Sequence, residues 1–170
     1  MAYTTFAELA KERYSVRQFD SSKPVEAEKL AAILEAVTIA PTAANMQPQK
    51  VKVLQTPEEL ALADQISQCR YGAPLAFLIC YDSSGTIKHS GLDAGVIDCS
   101  IITTHMMLEA WEQGLGSVWC LAFDPDKARE VLGLPQNIVP VAFLPVGYAA
   151  EGAAPHPFHT TSKPLADLLL

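Results

Sequence analysis

The sequence predicts a single α+β domain, and three observations lead there. Two helix starts are written as capping boxes, Thr5-Phe6-Ala7-Glu8 and Thr56-Pro57-Glu58-Glu59, in which a threonine and a glutamate three residues on satisfy each other's backbone donors. The run Leu75 to Tyr81 is continuously apolar and of strand length, as a strand buried on both faces would be. Helical and strand patterns then mix without strict βα alternation, which favours α+β over a doubly wound sheet.

The elements follow in order. The first capping box opens a short helix from Phe6 to about Arg13. Ser21-Ser22-Lys23-Pro24 is a turn with proline at a helix start, and Glu26 to Ile39 carries Ala27, Leu30, Ala31, Leu34 and Val37 at helical spacing. Pro41 ends that helix, because its ring biases Ala40 away from helical geometry. Residues 42–48 form a loop, Val51 to Leu54 a strand, and the second capping box a helix to about Gln68. After the Gly72-Ala73-Pro74 break comes the buried strand, then a turn at Asp82 to Gly85. A long helix spans Gly91 to Gln113, apolar on more than one face, with Gly114 as its stop. Leu115 to Ala122 reads as a strand, and Asp124-Pro125 caps a short helix to Leu132. Val139 to Val146 reads as a last strand, which Pro140 and Pro145 place at an edge or pair only through its middle. From Ala149 the chain is a tail ending in three leucines, an apolar terminus that needs something to pack against.

Composition bounds what such a domain does. The 170 residues fit one domain, and 49% hydrophobic content with a mean hydropathy of +0.16 supplies a large core and some apolar surface for a subunit interface. A net charge of −7 argues against nucleic acid or an anionic membrane as partner, since both need a broad basic field. No signal-peptide pattern or membrane-spanning run is visible, and the expected location is the cytoplasm. The cysteines at 69, 80, 99 and 120 lack zinc spacing and sit among apolar neighbours, so they read as buried reduced thiols.

Against that acidic background, Arg13-Tyr14-Ser15-Val16-Arg17 stands out. The chain has only four arginines and two are here, with a serine between them. Guanidinium forks match phosphate oxygens and a hydroxyl adds a third donor; the competing reading is a solvated turn after a helix. In the loop 41–48, Thr42, Asn45 and Gln47 lie among alanines, which lets a flat ligand approach and amides read its edge; the competing reading is a plain connector. Gly116 to Ala122 alternates small and aromatic residues at a strand end, where backbone N–H groups can face a ligand. His105 and Glu109, four apart on the long helix, and His156 and His159 in the tail lack the companions a metal needs, and no serine has nucleophile partners. There is no dinucleotide fingerprint, P-loop or nucleophile elbow.

Four features in this order resemble the nitroreductase family of FMN-dependent oxidoreductases. They are Arg13-x-Ser15-x-Arg17; Ala40-Pro41-Thr42-Ala43-x-Asn45-x-Gln47-Pro48; Asp93-Ala94-Gly95 … Leu108-Glu109-Ala110 … Gly114-Leu115-Gly116-Ser117-x-Trp119; and Lys163-Pro164-Leu165. The resemblance implies an α/β sandwich with a central mixed, mostly antiparallel sheet flanked by helices. It implies an intertwined homodimer with FMN at the subunit interface, one domain over 1–170, and 149–170 as a partner-wrapping tail. It implies that Arg13, Tyr14, Ser15 and Arg17 hold the FMN phosphate and ribityl chain, with Arg17 reaching toward the pyrimidine edge. Pro41, Thr42, Ala43, Asn45 and Gln47 would contact the ring from the other subunit, Cys120, Leu121 and Ala122 would present a backbone N–H to flavin N5, and Lys163 would lie near the phosphate. The implied activity is hydride transfer from NADH or NADPH through the flavin to nitroaromatic, quinone-like or similar acceptors in ping-pong order, with no catalytic side chain and no metal. The alternative is a flavin-binding or redox-sensing protein without turnover. The chain departs from the family at Thr42, where serine is usual, at Ser162, where arginine often precedes the lysine, and at Ala122, where glycine is common.

Overall fold

A computed structural model describes residues 5–170. Both capping boxes form: Thr5 opens α1 (Phe6–Glu12) and Thr56 opens α3 (Pro57–Ile66), each with its glutamate bonded back to the cap. α2 is Ala27–Ile39, with Glu26 at the N-cap position, where its side chain makes no capping bond, and Pro24 outside the helix. The strands are β1 (Gln49–Leu54), β2 (Leu75–Asp82), β3 (Lys88–His89), β4 (Leu92–Asp93), β5 (Gly116–Ser117) and β6 (Ile138–Gly147). α4 is Ala94–Glu112 and α5 is Pro125–Leu132.

Four strands form one antiparallel sheet in the order β1-β2-β6-β5, and β3-β4 is a separate hairpin. β2 has both faces covered, and its side chains alternate between two cores. Leu75, Phe77, Ile79 and Tyr81 join Ile33 of α2 and Cys99, Ile102 and Met106 of α4; Ala76, Leu78 and Cys80 join Ala63 and Ile66 of α3 and Ala128 of α5. This is a helix–sheet–helix sandwich with α2 and α4 on one face and α3 and α5 on the other. Burying a side chain such as Phe77 or Phe143, both fully enclosed, contributes about 1.5–3 kcal/mol.

Four expectations are corrected. β6 is not an edge: it pairs with β2 along its length and with β5 on its other side. Pro140 sits where the register shifts between Ile79, opposite Ala142, and Cys80, opposite Pro140, a bulge that absorbs its missing donor. Pro145 keeps its acceptor role, taking the Val118 N–H at 3.2 Å. The strand expected over 115–122 is only two residues long, followed by a single bridge from Cys120 to Phe143. α3 stops at Ile66, where Ser67 turns the chain into a 3₁₀ turn over Gln68–Arg70. The long helix starts at Ala94 rather than Gly91, because residues 88–93 are taken up by the hairpin and Asp93 caps the helix through the Gly95 N–H.

Candidate functional site

α1 ends at Arg13, and the chain runs on in extended form. Ser15 forms a parallel bridge with Ser117, and the Val16 N–H donates to the Ser117 carbonyl at 3.0 Å. Extended backbone sends alternate side chains to opposite sides. Val16 is wholly buried, whereas Arg13 and Ser15 are half-buried and Arg17 is exposed. The approach to β5 depends on Gly116: a Cβ there would stand 2.9 Å from Val16 Cβ and nearer still to Val16 Cγ2.

Arg13, Tyr14, Ser15 and Arg17 line a cavity of about 610 Å³. Its other walls come from the tail. Ala150 and Asp20 pair across with Gln18 and Tyr148, folding the tail back so that His156, Phe158 and His159 face the arginines. Of the four arginines, Arg70 pairs with Asp64 and Arg129 with Asp126, whereas Arg13 and Arg17 pair with no carboxylate among the described residues. Burial pulls the Arg13 guanidinium below its ordinary value, the desolvation cost of a cation held partly out of water without a counter-charge.

Beyond β5, Cys120 exchanges both backbone bonds with Phe143, at 2.8 and 3.1 Å, so its N–H is occupied. Phe123 N–H donates to the Leu121 carbonyl and the Ser67 hydroxyl to the Ala122 carbonyl at 2.7 Å. Leu121 and Ala122 N–H groups have no acceptor among the described residues, and the Leu121 side chain is 71% exposed. The free donors of this stretch among the described residues are therefore at 119, 121 and 122. The charge of Arg17 reaches both Cys120 and Tyr71, which ties this stretch to the arginine cavity.

The loop between Pro41 and Pro48 is a strained, self-bonded turn. Ala44, Asn45 and Gln47 hold φ of 48°, 55° and 50°, a region that costs a side-chain-bearing residue about 1–2 kcal/mol. Gln47 N–H donates to Thr42 Oγ1 at 3.2 Å, Gln47 Nε2 to Asn45 Oδ1 at 2.9 Å, and Ala43 N–H to Asp98 Oδ1 at 2.9 Å. None of Pro41, Thr42, Ala43, Asn45 and Gln47 lines the arginine cavity of the same chain. Lys163 is exposed and does not line it either. An apolar groove of about 310 Å³ lies along α4, bounded by Val96, Ile97, Ile101 and Trp119, with Ser100 and Thr104 between.

Other candidates are engaged elsewhere. His105 Nδ1 lies 2.9 Å from the Ile101 carbonyl, and Glu109 accepts from Gln113 Nε2 at 2.7 Å. Burial pushes the Cys80 and Cys120 thiols up to about 12, and Cys99 also well above its ordinary value. Sequence reasoning noted His156 and His159 only as poor metal ligands; nothing in their spacing announces that the tail returns to the arginines.

The Nitroreductase family model matches residues 10–71 and 66–148. A crystal structure of a nitroreductase family protein from Clostridium difficile 630 is 39% identical, with a TM-score of 0.91 and 98% of each chain covered. A Methanothermobacter thermautotrophicus protein, provisionally named NADH dehydrogenase/NAD(P)H nitroreductase, is 31% identical over 153 residues, covering 85% of this chain and 77% of that one. A structure from Exiguobacterium sibiricum 255-15, solved in complex with FMN, shares the fold at a TM-score of 0.86 and 22% identity, covering 99% and 98% of the two chains.

Proposed function

Since the chain belongs to the nitroreductase family, we propose that it is an FMN-dependent NAD(P)H oxidoreductase acting on nitroaromatic, quinone-like or similar electron-poor acceptors. FMN bound there would supply the two-electron chemistry, accepting hydride from NADH or NADPH and delivering it to the acceptor in ping-pong order. The observation that carries the reading is the pair of uncompensated arginines, Arg13 and Arg17, flanking Ser15 in a cavity of an acidic chain. Its volume, about 610 Å³, suits a small-molecule cofactor.

Each group has a physical task. Arg13 and Ser15 hold the phosphate, whose charge is close to −2 at neutral pH. Arg17 lines the same cavity and would supply positive potential where a reduced ring gathers negative charge. The free N–H groups of Leu121 and Ala122 orient the ring at its reactive nitrogen. In a homodimer the loop 41–48, which does not line the arginine cavity of its own chain, would reach that of the second copy. A homodimer also explains the exposed apolar residues Ile39, Met46, Val96 and Ile97 and the tail leucines 165, 168 and 169. The chain needs no side-chain acid or base for the hydride steps.

Purified protein should be yellow, or turn yellow with added FMN, and NADH or NADPH should bleach it faster than free FMN. A colourless protein that takes up no FMN would overturn the reading. Bound flavin bleached no faster than free FMN would leave a flavin carrier in its place. Flavin-loaded protein sedimenting as an 18.3 kDa particle would overturn the dimer.

A further inference from the structure

Two of the chain's four histidines share the cavity with two of its four arginines. His156 sits at the start of the 3₁₀ turn Pro157–Thr160, where its Nδ1 accepts the Phe158 N–H at 3.2 Å. That bond fixes the ring, and a ring accepting at Nδ1 carries its proton on Nε2. His159 makes no hydrogen bond through its ring among the described residues; its ring meets Tyr14 edge-on, with centroids 6.1 Å apart, and Tyr14 packs in turn on Trp111 of α4. A second cavity of about 200 Å³ repeats the association of Ser15, Arg17 and His156. The charged and titratable groups facing the histidines are Arg13, Arg17 and Tyr14, and no carboxylate lines either cavity among the described residues. Lys163, the basic group expected near the phosphate, is not in the lining.

We propose, on the basis of the FMN reading above, that His156 and His159 form the tail half of the phosphate site, each turning a ring N–H toward the phosphate oxygens, with His156 left to donate through Nε2 by the bond its Nδ1 accepts. The arginines and Ser15 wall the cavity on one side and the two rings on the other. The histidines therefore strengthen retention of FMN, and riboflavin, which lacks the phosphate, gains nothing from them.

The test is a fluorescence titration of flavin-stripped protein with FMN and with riboflavin at pH 7.5. His159→Ala and His156→Asn, the second of which retains a cap acceptor, should each weaken FMN several-fold. Riboflavin affinity should be unchanged in both variants. Unchanged FMN affinity in either variant, or equal losses for the two flavins, would overturn the assignment while leaving FMN binding intact. If wild-type protein takes up neither flavin, the FMN reading itself fails, and this assignment with it.

Discussion

Asp98 of α4 accepts the Ala43 N–H at 2.9 Å, across 55 residues of sequence. Its carboxylate is 2% exposed, and the second oxygen, Oδ2, is buried without a partner among the described residues. One buried carboxylate thus anchors a loop in which three residues have left-handed backbone. Such strain persists only where the surroundings over-determine it.

Asp98→Asn keeps an acceptor for Ala43 and should stay within about 1 kcal/mol of wild type in urea unfolding. Asp98→Ala leaves the Ala43 donor unsatisfied in a half-buried site, and the loop should relax. FMN affinity is then expected to fall about tenfold, the equivalent of one hydrogen bond, measured by flavin titration. Equal affinity in the alanine variant would show that the loop holds its shape unaided.

Gly116→Ala drives a methyl group into Val16, which is wholly buried. Overpacking of this kind costs about 1–3 kcal/mol, read as a lower urea midpoint. The variant should also lose flavin, because moving Val16 moves Ser15 and Arg17 with it. Gly114→Ala, where nothing lies within 4 Å of the added carbon but φ is +74°, isolates the backbone cost from the packing cost.

Arg13→Ala removes a charge-assisted donor from the proposed phosphate site. The loss is about 1.5–3 kcal/mol, so FMN affinity should drop at least about tenfold. Riboflavin binding should change far less. The comparison is made by equilibrium titration, and equal losses for the two ligands would place Arg13 somewhere other than on the phosphate.

Asp82 shapes the acid limb of stability. The hydroxyl of Ser84, the Asn137 amide and the Ser84 N–H donate to its carboxylate and hold it down at about 2. The unfolded value is about 3.9. The folded value is the lower one, so this contribution is complete above about pH 4 and is lost as pH falls toward 2. In Asp82→Asn, the urea midpoint should change less steeply between pH 4 and 2 than in wild type, while both variants share the same profile above pH 5.

Local chemistry made much of this fold legible. Asp124-Pro125 and Gly133 bracket α5, and the cap residues Thr5 and Thr56 each mark a real helix start. The segment 115–122 misled because its alternation is real but unpaired: Val118 and Cys120 enter one core and Trp119 packs on the other, without a ladder beyond Ser117. β6 misled for the opposite reason, since the proline rule could not see a bulge that depends on where β2 lies. At the site, the arginines stood out by their scarcity. The histidines did not, because their place is set by long-range pairing of Gln18 and Asp20 with Tyr148 and Ala150, which no local pattern encodes.

The buried thiols have a consequence for how the protein meets its chemical surroundings. Peroxides and alkylating agents attack ionised sulfur, and the un-ionised form is a poor target. Burial keeps Cys80, Cys99 and Cys120 un-ionised throughout the physiological range. Only Cys69 of the four has surface access. The domain is built to handle electrons without enlisting its own sulfur, and whatever electrophile sensitivity it has is concentrated at a single position.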